Sequence, residues 1–358
     1  MSMAHRKWQC FLVLLALAPA ISLATHGTDP RACTIAVRPG ESIQDAVDRA
    51  PPGAVVCLAA GTWTEEVVVA KALTICGDPN GRSVVRCPTS ALAAVMAGTF
   101  SSEDDVSVSL KDLRIVGTGQ GLYRPSGAIA CDTAHIDISH CEIVDCERGI
   151  VTYDAATARI PQCTIRDCRA GVSASSCAVI AIAECEISQN SWHGVVAMEN
   201  VSLKIEATVI ERNGQNGLLL FGTSDTLVTQ SAVRGTTKGW GIQLGGAARV
   251  ELQDCEISGN SADGIGLKES SEATVESCVI HDNRNGIRLY GSSSAVIEGS
   301  HIFGNYSYGV SLSGGFSGYV GGKRNEVSGS ERSASGPVYP RTLAFLATEQ
   351  GGELDLRL

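Results

Sequence analysis

Two sets of charged side chains stand at spacings that could bring them together. The first is His135, Asp137, Arg159 and Lys204, in which Asp137 and Arg159 are 22 residues apart. A carboxylate beside a cation is what acid–base work on a sugar acid needs: one group moves the proton while the other holds the neighbouring charge. The second set is Lys268 and Arg288, with Tyr290 and Asp263 close in sequence. Near these stands an apolar group, Val196, Met198, Leu219 and Phe221, with Trp192 and Trp240 in the adjoining stretches. Apolar side chains of this size, if exposed together, mark a contact surface. None of these sets exists in space unless the chain returns on itself about every 22 residues.

The chain does repeat on that period. A small residue two before an Ile or Val falls at Cys141, Cys163, Cys185, Thr208, Ser231, Cys255, Cys278 and Ser300, at intervals of 22 to 24. A glycine falls at Gly149, Gly171, Gly194, Gly217, Gly241, Gly264, Gly286 and Gly309, always 14 residues before the next small residue where one follows. Leu113 and Gly127 fit the same frame one turn earlier. Three residues before each small residue the column reads Ile138, Ile160, Ile182, Ile205, Val228, Leu252, Val275 and Ile297, with no polar member. The period within each repeat is two, which argues for strands. One repeat cannot bury its own apolar face, but stacked repeats can. The expectation is an all-β, right-handed parallel β-helix with three short strands per coil. With coils about 4.8 Å apart, the stretch from Leu113 onward extends on the order of 40 Å. Asn190, Asn213, Asn260, Asn283 and Asn305 form a further column, expected to stack amide on amide at a tight left-handed turn.

On these columns the chain resembles the right-handed parallel β-helix proteins of the pectin-lyase-like superfamily. The resemblance covers about two thirds of the chain and implies the fold. It also implies a family range of lyases, hydrolases, esterases, epimerases and proteins without known activity. In the lyases and hydrolases the resemblance implies a cleft across one sheet, walled by long loops. The Lys268 and Arg288 pair resembles the base-and-neutraliser arrangement of β-helix uronate lyases, although the motifs that flank it there are missing. The paired Asp and Arg motifs of the esterase branch are also missing. The run from Ser42 through Gly61-Thr62-Trp63 to Gly77 resembles the entry to such helices, where a short helix plugs the end of the core. Read from the residues alone, Ser42 caps a helix with Ile43, Ala46, Val47 and Ala50 on one face, and Pro51-Pro52-Gly53 ends it.

The domain organisation follows. Residues 1–24 read as a secretory signal, with a basic start at His5, Arg6 and Lys7, an apolar run from Phe11 to Ala18, and cleavage options after Ala20 or Ala24. Residues 25–105 form an N-terminal cap with irregular first coils, 106–312 the regular helix, and 313–358 a C-terminal cap and tail, with Leu343–Leu346 a candidate covering strand. The segment from Gly117 to Ser126 is the insertion in the regular region. Fourteen cysteines point to an oxidising compartment. Cys146 and Cys168, on adjacent coils, are disulfide candidates, and Cys33, Cys57, Cys76 and Cys87 could form two more bridges. The inward Cys anchors read as small hydrophobes rather than metal ligands.

A net charge of −10 and a pI near 5.2 argue against nucleic acid. No residue cluster has metal-ligand spacing, so neither a metal nor a cofactor is expected. No apolar run is long enough to span a membrane. Asn200-Val-Ser and Asn305-Tyr-Ser fit glycosylation sequons. The oligomeric state is not set by the sequence. The expected function is an exported protein, secreted or periplasmic, that binds a polysaccharide or cell-surface component through an exposed sheet face. The binding residues would be Trp192, Val196, Met198, Leu219, Phe221, Trp240 and Tyr290. The alternative is a uronate lyase, epimerase or glycoside hydrolase using His135, Asp137, Arg159 and Lys204 under the 117–126 insertion, or Lys268 and Arg288. The bland counterpart is a solvated face whose charges pair across coils. The constant 14-residue spacing favours binding, because it leaves no loop to wall a cleft and exclude water.

Overall fold

The computed structural model describes residues 33–80, 82–98, 106–118, 125–313, 316–328 and 354–356. The expected signal, residues 99–105 of the expected cap, most of the 117–126 insertion and Leu343–Leu346 lie outside them. The strands form three long sheets, of 14 strands (sheet A), 12 (sheet B) and 11 (sheet C), wound as a right-handed parallel solenoid of about twelve turns. One coil shows the plan: His135–Ser139 lies in sheet A, Glu142–Val144 in sheet B and Arg148–Thr152 in sheet C. The next coil repeats it with Thr157–Pro161, Thr164–Arg166 and Ala170–Ala174.

The apolar columns set the register. Ile160 pairs with Ile182, Ile182 with Ile205, Ile205 with Val228, Val228 with Leu252, Leu252 with Val275, and Val275 with Ile297. These side chains, with Ile143 and Ile165 from sheet B and Ile150 and Val172 from sheet C, are buried in one continuous core. A one-residue slip would turn every column outward, so burial fixes the pairing.

The corners are made by residues with left-handed backbone. Between sheets A and B these include His140, Gln162, Glu184 and Ala207, each one before the small anchor. Between B and C they include Asp145, Asp167, Gln189 and Arg212. The asparagines therefore do not carry the left-handed turn themselves; the residue before each does. What the asparagines do is link coils. Asn283 Nδ2 donates to Asn305 Oδ1 at 3.2 Å and Asn260 Nδ2 to Asn283 Oδ1 at 2.9 Å, while the Asn260 amide N–H donates to Asn283 Oδ1 at 3.0 Å. Asn305 is buried in this ladder, so the second sequon is not an exposed acceptor. The glycine column has a steric cause: a Cβ on Gly194 would stand 2.6 Å from the Gly217 carbonyl oxygen.

The coils begin earlier than the sequence repeat. The helix Ile43–Arg49, capped by Ser42, buries Ile43, Ala46 and Val47 as expected. Within the cap expected over 25–105 with irregular first coils, Ser83–Arg86 and Ala93–Ala97 are regular strands of sheets B and C. They lack the anchor and glycine signals because their inward positions are filled without the later spacing. At the other end, Tyr319–Gly322 and Glu326–Val327 add to sheets A and B beyond Leu312, and Leu354–Leu356 pairs antiparallel with the former.

A disulfide joins Cys33 to Cys57. Cys146 and Cys168 are not bonded; both are free and buried, as are Cys87 and the Cys anchors, whereas free Cys76 is partly exposed. Cys146 and Cys168 occupy one inward column, where the thiols donate to the Val144 and Arg166 carbonyls at 3.2 and 3.3 Å. Coil spacing alone suits a disulfide, but side chains on one inward column point the same way, and bridging requires Cβ vectors that converge. The anchor column tolerates Cys, Thr and Ser because each offers a small acceptor to the preceding coil. The Cys163 amide donates to Cys185 Sγ at 3.3 Å, Cys185 to Thr208 Oγ1 at 3.2 Å and Thr208 to Ser231 Oγ at 3.0 Å. Among the described residues no helix is long and apolar enough to cross a membrane.

Candidate functional site on the outer face of sheet C

The sheet A ladder does not converge. Asp137, Arg159, Ala181 and Lys204 are successive register partners, so a whole coil separates Arg159 from Lys204. Arg159 pairs with Asp137 at 3.1 Å and Lys204 with Glu206 at 2.8 Å, while His135 Nδ1 meets Thr157 Oγ1. Arg249 and Glu272 continue the pattern at 3.0 Å. These are solvated pairs across and along coils, worth little each. The 117–126 insertion leaves sheet B after Val116 and enters sheet C at Ser126, so it is not anchored on the sheet that carries the ladder.

Sheet C is different. Its inward residues are core, and its outer face carries columns that can be read from the register. Val196, Leu219, Gln243, Gly266 and Arg288 are successive neighbours in one column. Met198, Phe221, Gly245, Lys268 and Tyr290 follow two residues later on the same strands or just past them. The apolar group therefore does gather: Val196 pairs with Leu219, Met198 is 46 % exposed, and Val196, Leu219 and Phe221 are half-buried. Trp192 does not join it. Trp192 precedes the strand His193–Ala197 and Met198 follows it, so they stand at opposite edges of the sheet. Instead the Arg169 guanidinium stacks on Trp192, 3.5 Å from the ring centroid, and is itself paired with Glu147 at 2.5 Å.

Trp240, in the turn before Ile242–Leu244, reaches across the sheet rather than toward Phe221's neighbours. Its ring is nearly parallel to that of Tyr290, at 11°, with centroids 6.2 Å apart. Lys268 Nζ lies 4.6 Å from the Trp240 centroid and the Arg288 guanidinium carbon 4.8 Å from that of Tyr290. Two cations and two rings, from three neighbouring coils, thus form one cluster. Burial is the main cause that raises the Tyr290 phenol, so it stays protonated at neutral pH. Arg288 Nη2 donates to Ser313 Oγ at 3.3 Å, while its Nε is buried without a partner.

Along the edge of sheet C that carries Trp240, at the starts of successive strands, runs a buried polar row of which only Asp263 stood out in the sequence. Asp263 is 2 % and Asn285 3 % exposed, and Asn285 Nδ2 donates to Asp263 Oδ1 at 2.5 Å. Asn285 Oδ1 is buried and unpaired. Asn216 Nδ2 donates to Gln243 Oε1 at 2.9 Å, and the Trp240 amide donates to Asn216 Oδ1 at 3.0 Å. His193, 8 % exposed, accepts the Asn216 amide N–H on Nδ1 at 3.3 Å. Burial, aided by Arg169, lowers its pKa, so it is neutral with its proton on Nε2. The glycines at 245 and 266 were also missed; their signal is two empty positions in outward columns whose neighbours carry large side chains. Among the described residues no group of three or more His, Cys, Asp or Glu side chains could hold a metal.

The family described as right handed beta helix region matches residues 104–233 and 236–330. No curated protein matches the sequence. Among solved structures, the Azotobacter vinelandii mannuronan C-5 epimerase AlgE6 A-module aligns with a TM-score of 0.67 at 16% identity, over 79% of this chain and 88% of that one. The periplasmic alginate epimerase AlgG aligns with a TM-score of 0.57 at 14% identity, over 81% and 83%. DFA-IIIase from Arthrobacter chlorophenolicus A6 aligns at 0.53 and 13% identity, over 76% and 83%. Identities this low carry the fold and not the activity.

Proposed function

As the chain belongs to the right-handed beta helix family, we propose that it is an exported protein that binds a carboxylate-bearing polysaccharide on the outer face of sheet C. One observation carries the reading: Lys268 and Arg288 stand against the rings of Trp240 and Tyr290 on neighbouring coils. Aromatic faces suit the apolar faces of sugar rings, and cations on the same face suit carboxylates. The overall charge of −10 opposes a polyanion at long range, so the attraction is local to this cluster and weakens with salt. The disulfide between Cys33 and Cys57 fits an oxidising compartment, in agreement with the basic and apolar start of the chain. The names of the structural neighbours, a mannuronan C-5 epimerase, an alginate epimerase and a DFA-IIIase, fit a carbohydrate ligand.

Binding fits the face better than turnover. Only four residues join Leu244 in sheet C to Arg249 in sheet A, too few to wall a cleft and exclude water. Beside the cations, Tyr290 holds its proton and so offers no base. Asp263 favours the second reading, an enzyme acting on the same polymer, because it is a carboxylate buried beside Asn285 at the edge of the cluster, near Tyr290. The test is retention on immobilised alginate or polygalacturonate, with a neutral glucan as control and with unsaturated product and reducing ends followed in solution. Retention on a uronate polymer without product supports binding. Product formation moves the assignment to the enzyme, and no retention on any polymer overturns both.

A further inference from the structure

Most glycines in the regular coils have a backbone reason to be glycine. Gly222, Gly235, Gly246, Gly259 and Gly291 have left-handed φ, and the column from Gly149 to Gly286 packs against the carbonyl of the next coil. Gly245 and Gly266 have neither. A Cβ on Gly245 would stand 2.5 Å from Cζ and 2.6 Å from Cε1 of Phe221, with no backbone atom among its three nearest neighbours. A Cβ on Gly266 would overlap the six-membered ring of Trp240, whose Cδ2 is the third neighbour at 2.9 Å. What forbids a side chain at each position is an aromatic ring lying across it.

Building on the polysaccharide reading above, we propose that Gly245 and Gly266 are ring seats: they let Phe221 and Trp240 lie across the sheet as stacking subsites, so that the bound polymer runs across the coils, along the solenoid axis. The direction follows from where the rings are. Phe221, Trp240 and Tyr290 come from three different coils, as do Gln243, Lys268 and Arg288. No single strand carries two of the three rings. A ligand extended along one strand would meet one ring and at most one cation, whereas a ligand crossing coils at about 4.8 Å per step meets them in succession. Lys268 stands at the Trp240 seat and Arg288 one coil farther, which sets carboxylates beside stacked rings.

Gly245 and Gly266 are positioning residues in this scheme, since they act through the rings. The experiment is a double-mutant cycle of Gly266→Ala and Trp240→Ala, read by thermal unfolding and by affinity for uronate oligomers of increasing length. Gly266→Ala alone should lower affinity on the order of tenfold, the scale of one well-placed aromatic contact, and should lower Tm. In the Trp240→Ala background the same substitution should change affinity little and leave Tm unchanged or slightly raised, since alanine is then free of the ring and restricts the unfolded chain. Phe221→Ala should weaken long oligomers while sparing short ones. Equal losses in both backgrounds would overturn the seats, because the glycine would then serve the backbone. Loss of short and long oligomers alike with Phe221→Ala would overturn the direction. Native protein retained on no polymer would overturn the binding reading and the subsites together, a result distinct from either of the others.

Discussion

His193 opens its strand at the edge of sheet C with its ring nearly out of water, its Nδ1 held by a backbone N–H and the Arg169 guanidinium nearby. Its folded-state pKa is lowered, so between that value and the unfolded value near 6.5 the unfolded chain binds more protons. The stability that neutral His193 contributes is therefore complete above about pH 6.5 and is lost as pH falls toward the lowered value. Thermal unfolding at pH 7.5 and pH 5 should show a larger drop in Tm for the native protein than for His193→Gln; equal drops would contradict it. The cysteines make a second prediction. Burial pushes the Cys87 thiol up to about 12 and Cys131 up to about 11, leaving almost no thiolate at pH 8. Mass spectrometry after alkylation at pH 8 should find Cys76, the partly exposed free thiol, modified first, and the buried Cys column modified only in denaturant. Rapid native labelling of Cys146 or Cys168 would mean those side chains are not the inward residues described. That the two are free was not legible from coil spacing, because spacing gives distance and not the direction of Cβ.

At the scale of the element, the Asn ladder does what a longer hydrogen-bonded turn would do elsewhere. Asn283 accepts from the Asn260 amide and side chain and donates to the Ile257 carbonyl at 2.9 Å. Asn283→Ala leaves those buried groups unpaired and should cost about 1–3 kcal/mol, visible as a lower denaturant midpoint with an unchanged slope. Substitution of exposed Glu251 on sheet A should cost less than about 0.5 kcal/mol. A cost for Asn283→Ala no larger than that would show the ladder to be ornamental. The three strands of each coil, their inward columns and their order were legible because burial imposes period two and stacking imposes period 22. The left-handed residue was misplaced by one position because Asp, Gln, Arg and Gly all occupy it, so no single residue type marks it. The strands Ser83–Arg86 and Ala93–Ala97 were not legible because the first coils lack the anchor and glycine pair that mark the later ones.

At the scale of the whole molecule, the solenoid turns a weak local repeat into a long flat surface, and function depends on which outward columns share a sheet. The sequence placed His135, Asp137, Arg159 and Lys204 on one face and Lys268, Arg288 and Tyr290 on another, and the register places them so. What it did not reveal is which set converges. That depends on side-chain reach: Trp240 crosses to Tyr290 over a position emptied at Gly266, whereas the sheet A charges find partners on their own or the next coil. The decisive comparison sets native protein against the Lys268→Ala, Arg288→Ala double variant on immobilised uronate polymer at low and high salt. Native protein should be retained at low salt and released by high salt. The double variant should pass through although it unfolds at a similar temperature, and neither should generate unsaturated product or new reducing ends. Equal retention of the two proteins, or product from the native protein, would contradict the binding reading.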